Sequence, residues 1–226
     1  CKPACCYVLW RVLWAVYHTC WLTGNIAVAS VEGQATVFKW FIYLSNWMYL
    51  LLTIECVFEA VLVVGALLKK PRPIEEEHLP WHLQLMWLLY TVSAVGAVVV
   101  AVWYWACIHK GKTLTPIRFN THAIAAIYVI LNMAFTRLPF RLLHFIYPVG
   151  TNQNGETYIY SILDWSRPGR TLIITSLSNF VFIPLVHLLL WTLSICFQKL
   201  HERIRKSHVV YSQGIDSLEA EEIDVH

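Results

Sequence analysis

Charge is what this sequence has least of. Asp, Glu, Lys and Arg make up 14% of its 226 residues, against 58% hydrophobic, a balance that suits a lipid-exposed surface and not a water-exposed one. The net charge of +3 is too small, and its basic residues too clustered between apolar runs, for a nucleic-acid binder. Paired cysteine motifs are lacking as well. The seven Cys (1, 5, 6, 20, 56, 107 and 196) form no CxxC, which excludes a zinc or dithiol framework; those inside apolar runs read as small buried hydrophobes. Cys1, Cys5 and Cys6 precede the first apolar run, where S-acylation is a further reading. Of the soluble-enzyme signatures GxSxG, HExxH, GxxxxGK[ST] and GxGxxG none occurs, so the familiar hydrolase elbow, zinc-protease helix and phosphate loops are excluded. His18, His82, His144 and His187 stand singly, without metal-ligand spacing. Internal repeats and paired broken helices are also missing, which disfavours a transporter.

What is present is a series of long apolar runs. A window of about 19 residues finds five that can span a bilayer core of roughly 20 helical residues: about 7–29, 38–68, 81–108, 119–136 and 171–198. Aromatic residues such as Trp40, Phe41, Trp81 and Trp103 mark their ends. The fold expected is therefore all-α, a polytopic transmembrane helix bundle over residues 1–198. A tail over 199–226 follows, basic in KLHERIRK and acidic, with the composition of a disordered segment, in GIDSLEAEEIDVH. Between the second and third runs KKPRPIEEEHLP reads as a short solvated turn. The chain begins with Cys, so residues before it are expected.

Lys and Arg test the number of crossings. With five spans and an internal N-terminus they divide 9 inside to 8 outside, counting Arg11 inside; a further crossing near Val149 and Gly150 makes the division 11 to 6. Positive charge favours the cytoplasmic side, so the charges prefer an even number of spans. Residues 137–149, RLPFRLLHFIYPV, are too short and too polar to be the extra one.

Polar residues inside the runs need a reason, because a charge at the centre of a membrane helix costs at least about 2.5–3.5 kcal/mol on insertion scales. Glu55 and Glu59 are four apart and share one helix face. They read either as a proton or metal site, or as carboxyls that are protonated, paired with a neighbouring helix, or near the interface. Ser45 and His122 form a second candidate. Runs two and four begin on the same side, since two crossings separate their starts. Ser45 lies six residues after Lys39 and His122 four after Arg118, so both sit one to two turns below the same surface. A hydroxyl and an imidazole in a dry pocket make a nucleophile and general base for acyl transfer. Asn46, Asn120 and Thr121 could then supply oxyanion donors. The plainer reading gives Ser45 a bond to its own i−4 carbonyl and makes His122 a neutral interhelical contact.

WFIYLSNW, FNTHAIAAIYVILNMAF, LPFRLLHFIYPV and YIYSILDWSRPG together resemble the rolling stone family of multi-pass membrane proteins. That family lies within a wider group that contains the androgen-induced membrane hydrolases. The resemblance runs from the first apolar run to about residue 200. It implies one of two functions. One is hydrolysis of fatty acid esters of hydroxy fatty acids by an intramembrane Thr–His pair; the other is a non-enzymatic role in cell fusion, as in myoblasts, or in adhesion. The family's YLT corresponds to Tyr43, Leu44 and Ser45, and its histidine to His122. Serine here keeps the hydroxyl and loses the β-methyl that restricts its rotamer. The resemblance also implies six spans, with one absent where YPV meets GTNQNG. No cofactor is expected, and membrane lipids, including a lipid ester substrate, are the expected partners. The location expected is integral, in the plasma membrane or an endomembrane.

Overall fold

The computed structural model describes residues 3–68, 80–109, 111, 113–136 and 168–223, with side chains over 5–33, 37–68, 80–109, 111, 113–136 and 169–206. The expected turn after residue 68, the RLLHFIYP and LDWSRPG segments and the junction at Val149–Gly150 lie outside the described residues. Among those described, every regular element is helical. In order they are α1 (Pro3–Val31), α2 (Gln34–Trp40), α3 (Leu44–Leu68), α4 (Trp81–Trp103), α5 (Pro116–Phe119), α6 (Ala125–Phe135), α7 (Pro168–Leu177) and α8 (Ile183–Ile223). Wide π-type turns at Tyr104–Ile108, Asn120–Ile124 and Ser178–Phe182 extend α4, join α5 to α6, and join α7 to α8.

Among the described residues three helices are long and apolar enough to cross a membrane: Leu44–Leu68, Trp81–Ile108 and Gly169–Lys206, with mean hydropathies of 2.3, 2.2 and 2.2. The other two expected spans are present as helix but fall short by those measures. Arg11, His18 and several hydroxyls dilute α1, although its 29 residues are ample in length. The run at 119–136 is divided among α5, a π-type turn and α6. The second run does not begin as one helix at residue 38 either. The backbone turns at Phe41–Tyr43, and α3 starts afresh at Leu44. A turn between α1 and α2 is made possible by Gly33, whose φ of 114° lies in the left-handed region. At the other end α8 stays helical to Ile223 where the composition suggested a disordered tail.

α4 is the central helix. Of its apolar window 61% is buried, against 33% for α3 and 28% for the final span. The reason is its run of small residues: Ser93, Ala94, Ala97 and Ala101 are buried and let neighbouring backbones come close. α1 and α4 flank α3, and α4 in turn meets α6 and α8. Trp14 on α1 packs on Tyr128 of α6 at 4.7 Å and Trp10 on Phe135 at 4.9 Å. α1, α3, α4 and α6 thus enclose one core, while large apolar side chains such as Leu13, Val61, Leu131 and Leu188 face outward. An outward apolar coat over a polar interior is the arrangement that lipid demands.

Candidate functional site

Three polar layers cross the core. The first stands where α1 begins and α3 and α6 end. Arg11 forms an ion pair with Glu59, donates to Asn132 Oδ1 at 2.6 Å and to Tyr7 Oη at 2.9 Å, and lies 5.0 Å above the Tyr7 ring. Arg11 and Glu59 are 2% exposed and Glu55 is 1% exposed. Glu55, one turn before Glu59 on the same face of α3, accepts a weak bond from the Cys56 thiol at 3.5 Å. This corrects one expectation. Arg11 does not report topology, because it is the internal partner of a carboxylate and not a cytoplasmic surface charge. Setting it aside makes the five-span division of Lys and Arg even. Of the readings open for Glu59, pairing with a neighbouring helix is the one the structure shows: its Oε2 faces the guanidinium, with nine residues of α3 to follow. Among the described residues, no set of three His, Cys, Asp or Glu that could hold a metal forms around the pair.

The middle layer is a chain of four side chains from three elements. Tyr17 donates to Asn120 Oδ1 at 2.8 Å, and Asn120 Nδ2 donates to Tyr49 Oη at 2.6 Å. Tyr49 Oη is 3.0 Å from His18 Nδ1. Because that hydroxyl accepts from Asn120, its own proton is available to His18, which places the imidazole proton on Nε2. Aromatic rings wall His18 in: Trp14 stacks at 5.4 Å, and Tyr128 and Tyr49 meet it edge-on at 5.0 and 5.5 Å. Asn120 is thus committed to linking α1, α3 and the π-type turn, and is not aimed at a reacting carbonyl.

The third layer lies where α3 begins and α4 ends. His122, 8% exposed, stacks flat on Tyr104 with centroids 3.7 Å apart and planes 7° apart. Its backbone carbonyl accepts from Trp105 Nε1 at 3.3 Å. Both partners sit on π-type turns, whose extra residue per turn turns these rings toward each other. His122 Nδ1 is buried and has no hydrogen-bond partner. Ser45, half-buried in the first turn of α3, lines a narrow crevice with Met48, Tyr49, Ala97, Val100, Thr121 and Ala125, too tight to hold a water molecule. Among the described residues no hydrogen bond joins Ser45 to His122, nor does Ser45 bond its i−4 carbonyl, since Phe41 O takes the Trp47 indole N–H instead. Asn46 Nδ2 donates to Trp40 O at 2.8 Å, tying α3 to the end of α2. That amide, like Asn120's, is already occupied. Val100, which borders the crevice, and Tyr104, which carries the histidine, lie one turn of about 6 Å apart along α4 and its π-type extension.

Sequence reasoning does not single out Arg11, Asn132, Tyr49 or Tyr104. One signal was in view for Arg11, an arginine five residues inside an apolar run, but nothing in the local sequence names Asn132, 121 positions away, as its acceptor.

The chain is 26% identical over 233 aligned positions to Protein rolling stone of Drosophila melanogaster, a match covering 90% of this chain and 81% of that protein. It is therefore rolling stone-like through most of its length, as the motifs in its second and fourth apolar runs suggested. The aligned length exceeds the part of this chain that it covers, so the relative carries residues within the matched region that this chain lacks. No family model matches, and no solved structure matches.

Proposed function

We propose that this rolling stone-like protein is a multi-pass membrane hydrolase of fatty acid esters, with hydroxy fatty acid esters as the substrate class and Ser45 and His122 as the reacting pair. The observation that carries the reading is the third layer itself. It holds an uncommitted serine hydroxyl and an uncommitted, buried imidazole nitrogen at one depth, on elements that touch. His122 Nδ1 removes the Ser45 proton as Oγ attacks the ester carbonyl carbon. The same proton passes to the leaving alkoxide, and water then hydrolyses the acyl-serine by the reverse use of the imidazole. With the Asn46 and Asn120 amides engaged, and the Asn46 and Trp47 N–H groups bonded to Tyr43 O, the oxyanion donor at hand is the first-turn N–H of Ser45. Stacking on Tyr104 fixes the ring plane of His122, and the crevice beside Ser45, closed to water as it stands, must open for the ester to reach the pair.

Five crossings are the architecture of this reading. α1 and the α5–α6 run act as spans beside the three more apolar helices, their polar residues being used inside the core. A sixth, which the distribution of Lys and Arg favours, would belong at Val149–Gly150. Labelling of membranes by a lipid-tailed fluorophosphonate tests the hydrolase: wild type is labelled, and Ser45→Ala and His122→Ala each lose at least tenfold. Labelling that is absent, or unchanged in Ser45→Ala, removes the enzyme. A second reading, a non-enzymatic role in cell fusion or adhesion, draws on the missing bond between Ser45 and His122. A fusion defect rescued equally by wild type and by Ser45→Ala would establish it.

A further inference from the structure

The hydrolytic reading leaves the first polar layer without a task, although it holds two carboxyls and a guanidinium that are each no more than 2% exposed. Its charges do not balance as ordinarily drawn. Two carboxyls, Glu55 and Glu59, face one guanidinium, Arg11. Arginine stays charged in any protein setting, so two ionised glutamates would leave a net negative charge sealed in the bundle. The other groups of the layer are neutral: Tyr7 on α1 and Asn132 on α6 accept from Arg11, Cys56 on α3 donates to Glu55, and Tyr90 on α4 and Tyr128 on α6 lie near both carboxyls. Among the described residues, Arg11 is the one cation acting on either carboxyl.

The two glutamates are not equivalent. Glu59 receives the guanidinium directly. Glu55 receives a thiol contact of 3.5 Å on Oε2, while its Oε1 is buried without a partner. A carboxylate wants several donors and pays heavily for burial without them. The two buried carboxyls are neighbours four residues apart on one face of α3, and an approach of carboxyl oxygens is attractive only when one of them carries a hydrogen.

We infer that Glu55 and Glu59 form a site for a single proton inside the bundle, with Glu59 ionised against Arg11 and Glu55 holding the proton and donating it to Glu59. The layer is then neutral, and the terminal guanidinium nitrogens of Arg11 keep Glu59, Asn132 and Tyr7 as acceptors while Glu55 donates to Glu59. The site couples α1, α3 and α6, since Arg11 spans from Glu59 to Asn132. Its ligand is a proton rather than a metal ion, because no third anionic or imidazole ligand completes the set among the described residues.

Infrared spectroscopy of the full chain in lipid vesicles at neutral pH tests the site. Solvated Asp and Glu are ionised there, with ordinary values near 4, so a C=O band of a protonated carboxyl that shifts in D2O reports a buried one. The wild type should show it, E55Q should lose it and keep the wild-type thermal midpoint, and E59D should retain it. A wild type without the band overturns the proposal. So does a band that survives in E55Q, or an E55Q protein that fails to fold, since glutamine reproduces the neutral carboxyl's shape and donor.

Discussion

A guanidinium inside an apolar bundle is tolerated only while its acceptors stay in place. Arg11 relies on Glu59, Asn132 and Tyr7, so Glu59→Leu leaves a buried charge uncompensated. It should destabilise the bundle by about 3–5 kcal/mol, whereas Arg11→Met with Glu59→Leu should recover most of that loss, since replacing a whole buried pair by apolar groups is often neutral. Thermal unfolding followed by helical circular dichroism in one detergent compares the three proteins. Tyr49 is the second decisive residue, because one hydroxyl serves both Asn120 and His18. Tyr49→Phe should cost about 1 kcal/mol, the scale of interhelical hydrogen bonds in membranes, and it should leave fluorophosphonate labelling of Ser45 within twofold of wild type. A much larger fall in labelling would tie the middle layer to the chemistry.

At the scale of elements, α4 organises the rest because its buried face is built from Ser, Ala and Gly. Ala94 is 1% exposed, so Ala94→Leu has no space to enter and should cost about 1–3 kcal/mol by overpacking. The same change at Ala60, on α3 and slightly less enclosed at 7% exposure, should be milder, and the two midpoints measured together check the ranking. The helices α1, α3 and α4 were legible as apolar runs with nearly the observed limits, because length and hydropathy are local properties. The break at Phe41–Tyr43 and the π-type turns were not. They follow from packing: Asn46 reaching Trp40 O and the Trp47 indole reaching Phe41 O anchor the break, and Tyr104 meets His122 only through the two widened turns.

For the whole molecule, parity of crossings is the testable quantity. The proposed five-span architecture would put the two ends of this chain on opposite sides of the membrane. Tags at the N- and C-termini should therefore differ in protease accessibility in sealed vesicles, and an apolar helix of about 20 residues inserted between Val149 and Gly150 should bring both to one side. Equal accessibility without the insertion would mean that one of the two less apolar helices does not cross. The charge distribution bears on this differently once Arg11 is known to be internal. The remaining Lys and Arg still favour an even number of spans, but with one fewer residue in support.

The sequence by itself determined the class of this protein, an apolar helical chain like rolling stone, because hydropathy over twenty residues and short motifs are written in consecutive positions. It also raised the expectation that Ser45 and His122 sit at one depth, since counting residues from a shared surface needs no tertiary information. Tertiary structure decided which polar residues answer each other. Glu59 and Arg11 are 48 positions apart and Arg11 and Asn132 are 121 apart, and in a medium without water each buried polar group takes whichever partner the neighbouring helix brings within reach. That pairing committed Asn46 and Asn120 to holding helices together, left Ser45 and His122 uncommitted, and turned two unexplained glutamates into one charge-balanced layer with Arg11.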